Sequence, residues 1–215
     1  GDSVAGGARP LAWLRTMSAP MLSRREQSKQ ANRERLYDAA LDLFADRGYA
    51  SVTVEDICAR ADVGRATFFR LYGTKAALLD EFSRRVAAEA EAQLARARPA
   101  DATSALRIVA EIMCDAWISS GATVRQMAQE YIHSVSLVAG SRRAQAELQE
   151  LVSGIVRAGQ ESGQLSGAPH PDFLGWMIVT ALSGAIATWL GSDDTLRRRS
   201  AQTIDVLLDG LRVGA

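Results

Sequence analysis

The sequence predicts an all-α protein of about nine helices. Two observations carry this. Apolar residues recur at the three-to-four-residue spacing of amphipathic helices along nearly the whole chain, and no segment shows the two-residue alternation of a half-buried strand. Where the periodicity breaks, the residues are Gly, Pro, Ser and Asp, which stop helices and build turns.

The elements follow in order. Residues 1–28 are expected to be a flexible leader or an expression remnant; Leu11 to Leu14 is too short an apolar run for a signal peptide. From about Gln30 to Arg47, Leu36, Ala40, Leu43 and Phe44 share one face, and Gly48 is placed to end the helix. Thr53 reads as the N-cap of a second helix, with Asp56 completing a capping box and Val54, Ile57, Cys58 and Ala61 forming the inner stripe. A turn at Asp62-Val63-Gly64 leads to a third helix from about Arg65. At 100° per residue Phe68, Leu71 and Tyr72 fall on one side, while Ala66, Thr67, Phe69 and Arg70 spread over the other. A long helix is expected from about Lys75 to Arg98, stopped by Pro99, with further helices near Thr103 to Ser119, Thr123 to Val138, Arg142 to Glu161, Pro171 to Leu190 and Thr195 to Arg212.

Composition narrows the function classes. The chain has 215 residues, 47% of them hydrophobic, and 25 cations balance 25 acids, so any affinity for nucleic acid must be local. Local basic clusters exist: Arg24, Arg25, Lys29, Arg33 and Arg35 near the start, and Arg65, Arg70 and Lys75 within Val63 to Lys75, where no acid occurs. Cys58 and Cys114 lie far apart in a chain that can build a core without them, which argues against a disulfide framework and for a reducing, cytoplasmic setting. Phe173 to Leu190 is uncharged but carries Gly175, Thr180, Ser183, Gly184 and Thr188, and is expected to be a helix buried on both sides with no membrane partner.

Catalytic and metal signatures are weak. Glu130-Tyr131-Ile132-His133 has the Glu-x-x-His spacing of carboxylate-bridged metal bundles, but that site needs a second copy, and His170 stands between two prolines; no metal site is expected. There is no Gly-x-Ser-x-Gly, P-loop or dinucleotide fingerprint, so neither an enzyme activity nor a cofactor is expected.

One part of the chain carries a specific pattern. The first helix ends in Asp-Arg-Gly-Tyr, Thr53-Val54-Glu55-Asp56-Ile57 opens the second, Ala61-Asp62-Val63-Gly64 forms the turn, and Thr67-Phe68-Phe69 is followed by Tyr72-Gly73-Thr74-Lys75-Ala76-Ala77-Leu78-Leu79. Over Gln30 to Leu79 this resembles the DNA-binding domain of TetR-family transcriptional regulators. The resemblance implies a helix-turn-helix domain at 29–75 and a helical ligand-binding and dimerisation domain at 76–215. It further implies that Thr53 meets the phosphate backbone, that Arg65, Ala66, Thr67, Phe69 and Arg70 lie in or beside the major groove, and that Lys75 holds a phosphate. The chemistry is consistent: Arg pairs bidentately with guanine, a Thr methyl touches thymine, and a helix N-terminus attracts an anion. Leu71 departs from the pattern, standing where the family commonly has a Tyr or His that reaches a phosphate.

For the remainder, the resemblance implies a small, largely apolar effector. Met113, Trp117, Met127, Tyr131, Phe173, Trp176 and Met177 are the candidate lining residues, being adaptable or aromatic, although for each one alone core packing is the favoured role, by roughly two to one. It also implies a homodimer through the last two helices, using the small ridge Thr180, Gly184 and Thr188 with Leu196, Ile204, Leu207, Leu208 and Leu211. The expected function is an operator-binding regulator, a repressor released by its ligand from palindromic double-stranded DNA; the alternative is a helical small-molecule- or metal-binding protein that no longer binds DNA.

Overall fold

The computed structural model describes residues 23–134, 145–189 and 193–211. Among them nine α-helices succeed one another: α1 (Arg24–Arg47), α2 (Val54–Ala61), α3 (Arg65–Leu71), α4 (Leu79–Ala97), α5 (Ala102–Ser119), α6 (Gly121–Ser134), α7 (Ala146–Glu161), α8 (Pro171–Trp189) and α9 (Asp193–Leu211). A 3-10 turn, Ala76–Leu78, precedes α4. The all-α expectation holds, and the element order agrees. The expected ends at Val138, Arg142, Leu190 and Arg212 lie outside the described residues.

Local chemistry explains the boundaries. α1 begins earlier than expected because Ser23 and Glu26 form a capping box, the Glu26 amide donating to the Ser23 hydroxyl and the Ser23 amide to the Glu26 carboxylate at 2.9 Å. It ends at Gly48, whose φ of 77° requires a residue without Cβ. α2 ends at Asp62, which takes the left-handed conformation that Asp tolerates. α4 was expected to start at Lys75; instead the Ala77 amide donates to the Thr74 hydroxyl at 3.2 Å, and a tight 3-10 turn leads into the helix.

The described residues form two compact units. One lies within 19–85 and 117–146, the other within 86–116 and 147–215. In the first, Leu36 of α1, Ile57 of α2, Phe68 of α3, Leu78 and Met127 of α6 are fully buried. Phe82 packs edge-on to Trp117 with ring centroids 4.9 Å apart. Glu81, 1% exposed, is neutralised by Arg84 at 2.5 Å and Arg85 at 3.3 Å, and these arginines reach on to Glu34 and Asp38 of α1. A buried carboxylate persists only with such partners.

In the second unit Leu94, Leu106, Ile155, Leu174, Ile178 and Leu182 form the core. α7 and α8 approach closely at Gly175, where an added Cβ would stand 2.1 Å from the Ser153 hydroxyl. α8 also packs along α9. The pairs Arg107–Asp205 and Arg197–Asp115 tie α5 to α9.

The expectation that α8 is buried on both sides needs correction. It is long and apolar enough to cross a membrane by length and composition, yet only 39% of its apolar window is buried. Leu174, Ile178, Val179, Leu182 and Ile186 face inward, whereas Phe173, Trp176, Thr180, Gly184 and Thr188 are exposed, because among the described residues one face only is covered. On α9 the leucines divide otherwise than predicted. Leu196, Ile204, Leu208 and Leu211 are buried in their own chain, Leu207 is half-buried, and Val206 is 73% exposed.

Candidate nucleic-acid interface

α2 and α3 pack against each other across the turn, and α1 packs on α2. α3 is anchored from beneath. Phe68 is fully buried with Tyr72 at 5.6 Å between centroids, and the Tyr72 hydroxyl donates to the Arg33 carbonyl at 3.1 Å. Burial raises the Tyr72 phenol well above its ordinary range, so this donor keeps its proton. Leu71 is half-buried.

The opposite face of α3 is open. Arg65, Ala66, Phe69 and Arg70 are exposed, Phe69 by 46%, and Thr67 is half-exposed. The Arg65 guanidinium pairs with the Glu55 carboxylate at 2.8 Å and lies 5.9 Å from the Phe69 ring centroid. Arg70 donates to the Thr67 hydroxyl at 3.4 Å. Two arginines, a methyl-bearing hydroxyl and an aromatic therefore share one surface, which suits the grooves of DNA. The Glu55 partner was not foreseen; it sits ten positions before Arg65 (65 − 55), and only the turn between the helices makes them neighbours.

Thr53 stands at the start of α2 as expected. Its hydroxyl accepts from the Asp56 amide at 3.1 Å and donates to the Asp56 carboxylate at 2.6 Å, and its own amide donates to that carboxylate at 2.9 Å. The bonds from Thr53 hold the Asp56 carboxyl below its usual range.

Lys75 is bound inward. Its ammonium donates to the carbonyls of Tyr49 and Val52 at 2.7 and 2.8 Å and lies 4.1 Å from the Tyr49 ring centroid. These partners belong to the α1–α2 loop.

The effector-lining candidates fall in both compact units. Met113 is buried in one unit, Met127 is fully buried in the other, and Trp117 is half-buried against Phe82. Phe173 and Trp176 are exposed and lie together at 5.8 Å, beside half-buried Met177. The side chains of Glu130, Tyr131 and His133 lie outside the described residues. A cleft of about 290 Å³ opens between α5 and α9, lined by Arg107, Glu111, Cys114, Asp115, Arg197 and Ser200 among others, none of them predicted. Burial pushes the Cys58 and Cys114 thiols up, away from thiolate reactivity. Among the described residues no cluster of three or more His, Cys, Asp or Glu is arranged to hold a metal.

Residues 36–82 match the sequence model described as bacterial regulatory proteins, tetR family. No curated protein sequence matches significantly. The fold resembles that of Thermus thermophilus FadR, a TetR-family transcriptional repressor in complex with lauroyl-CoA, with a TM-score of 0.66 and 24% identity over 85% of this chain and 96% of that one. It also resembles the fatty acid degradation regulator FadR from Bacillus halodurans (0.59, 19%, 83% and 99%) and SmeT, repressor of the Stenotrophomonas maltophilia efflux pump SmeDEF (0.54, 20%, 87% and 93%). At these identities the likeness to solved structures establishes the fold.

Proposed function

Because residues 36–82 carry the sequence of the tetR family of bacterial regulatory proteins, we propose that this protein is a ligand-responsive transcriptional repressor that binds a palindromic operator as a homodimer in the cytoplasm. The observation that carries the reading is α3 itself: a fully buried Phe68 fixes the helix while Arg65, Thr67, Phe69 and Arg70 stand on its outer face. These four, with Ala66 and the α2 N-terminus at Thr53, form the DNA surface. Arginine supplies base discrimination and the helix N-terminus supplies backbone attraction.

The dimer reading is supported by what α8 leaves uncovered. Trp176, Thr180, Gly184 and Thr188 run along one exposed face at four-residue spacing, and Val206 adds an exposed apolar side chain on α9. Small residues let a second helix approach closely. A twofold partner seated here, with Phe173 and Trp176 at its edge and no part in an effector pocket, sets two α3 helices one DNA turn apart, about 34 to 36 Å.

The effector is a small, largely apolar molecule held by the helices that follow α4. It acts by favouring a head spacing that no longer matches successive grooves. A coupling of about 1 to 3 kcal/mol changes operator affinity by roughly 5- to 150-fold. Lauroyl-CoA and triclosan, which appear in complexes of the structurally similar FadR and SmeT, are the first probes to try.

The deciding experiment is titration of labelled DNA from the region upstream of the gene at several salt concentrations. Specific binding with a steep salt dependence, altered in base preference by Arg65→Ala, is the expected result. Weak binding indifferent to sequence at low salt returns the chain to a helical ligand-binding protein without operator activity.

A further inference from the structure

The ammonium of Lys75 stands where the helix-turn-helix pattern leads one to expect a phosphate ligand, and it is held by backbone carbonyls of its own chain. It donates to the Tyr49 and Val52 carbonyls, and the rings of Tyr49 and Phe44 lie 4.1 and 5.8 Å from it. Charge-assisted bonds of this length are among the stronger polar contacts in a protein, and a cation above an aromatic ring adds to them. Val52 directly precedes Thr53, the N-cap of α2, and Lys75 directly precedes the 3-10 turn into α4. One side chain thus joins the entry of α4 to the loop that sets where α2 begins. Tyr49 is itself fixed, 6% exposed and 4.9 Å from Phe44 of α1.

We infer that Lys75 is a positioning residue for DNA binding: it holds the α1–α2 loop so that the α2 N-terminus meets the backbone, and it does not itself neutralise a phosphate. This deepens the operator-binding reading and rests on it. The two roles differ in what salt does. Each phosphate neutralised by a cation contributes about 0.9 to the slope of log affinity against log salt, whereas a residue acting through the loop contributes nothing to that slope. A charge at the surface and a charge in a carbonyl cradle are therefore separable.

The test uses the full chain and an operator duplex selected by it from random sequence. Lys75→Met, Tyr49→Leu and, as the control for a cation in the groove, Arg70→Ala are titrated over a range of salt, at temperatures where melting curves find each folded. Both Lys75→Met and Tyr49→Leu are expected to weaken operator binding by about tenfold with the slope unchanged, while Arg70→Ala, which removes a cation from each subunit of the dimer, lowers the slope by about 1.8. Amide hydrogen exchange is expected to rise at 49–56 in both loop variants and to stay unchanged in α3, a local signature that general destabilisation does not produce. If Lys75→Met does not fold, Tyr49→Leu, which removes no charge, decides the matter. The inference is overturned if Lys75→Met alone lowers the slope by about 1.8, one phosphate per subunit, or if Tyr49→Leu leaves affinity intact. Failure of the unsubstituted chain to select any operator overturns the DNA-binding reading instead, a distinguishable result.

Discussion

Adjacent phenylalanines on α3 provide the sharpest check on how the helix is phased. Phe68 is fully buried, between Tyr72 and Phe69 at 5.6 Å each, whereas Phe69 is 46% exposed. Phe68→Ala removes a whole buried ring and leaves a cavity, a change worth about 3 to 5 kcal/mol. Phe69→Ala gives up half of a ring's burial, about 1 kcal/mol, and an edge-to-face contact of about 0.5 kcal/mol. A difference of roughly 2 to 3 kcal/mol should therefore separate two neighbouring positions carrying the same substitution. Urea denaturation followed by circular dichroism and by tryptophan fluorescence measures it, since Trp117 lies in the same compact unit as α3. Operator affinity separates the two by cause: Phe69→Ala should bind poorly while folded, whereas Phe68→Ala should fail through loss of structure. Equal costs in urea, or unaltered operator binding by a folded Phe69→Ala protein, would refute the assigned phase.

Four further expectations can be checked with standard measurements. Thr53→Ala removes an N-cap and is expected to cost about 1 kcal/mol in urea denaturation and to weaken operator binding as α2 frays. Glu81→Gln discharges a 1%-exposed carboxylate between Arg84 and Arg85, and because those arginines keep Glu34 and Asp38 as partners, the expected loss is about 2 kcal/mol. Alkaline stability follows Tyr37 and Tyr72, whose phenols burial pushes up, Tyr37 to about 12. The unfolded chain releases these protons near pH 10 and the folded one does not, so stability is intact below pH 10 and falls above it by about 1.4 kcal/mol per pH unit per tyrosine; Tyr37→Phe should halve the slope in pH-dependent melting. Finally, Thr180→Glu places a charge on the exposed face of α8, and sedimentation should find it monomeric where the unsubstituted chain is dimeric.

Sequence alone was a good guide wherever a short-range rule decides the structure. The Thr53 capping box and the inward position of Phe68 both follow from spacing within a single helix. So does the split of α3 into a buried and an open face. What it could not give depends on contacts between elements. Lys75 has its partners 23 and 26 positions earlier, and Glu55 meets Arg65 only because the turn folds α3 back onto α2. The leucines of α9 are the same case, since periodicity says that they share a stripe but not whether that stripe meets its own chain or another. Burial of the effector candidates is the same case, since buried Met113 and exposed Phe173 look alike in a sequence.

The outer face of α3 has a bearing on how such a protein changes its target. Ala66, Thr67, Phe69 and Arg70 have little to do with folding their own chain, so new residues there can alter which bases are preferred at small cost in stability. Arg65 is the exception. Its bond to Glu55 means that a new residue at 65 leaves that carboxylate without its cation on the proposed DNA face, penalising the intermediate until Glu55 changes too. Re-targeting this helix is thus free at four positions and pairwise at the fifth, and libraries that vary α3 should vary Glu55 with it.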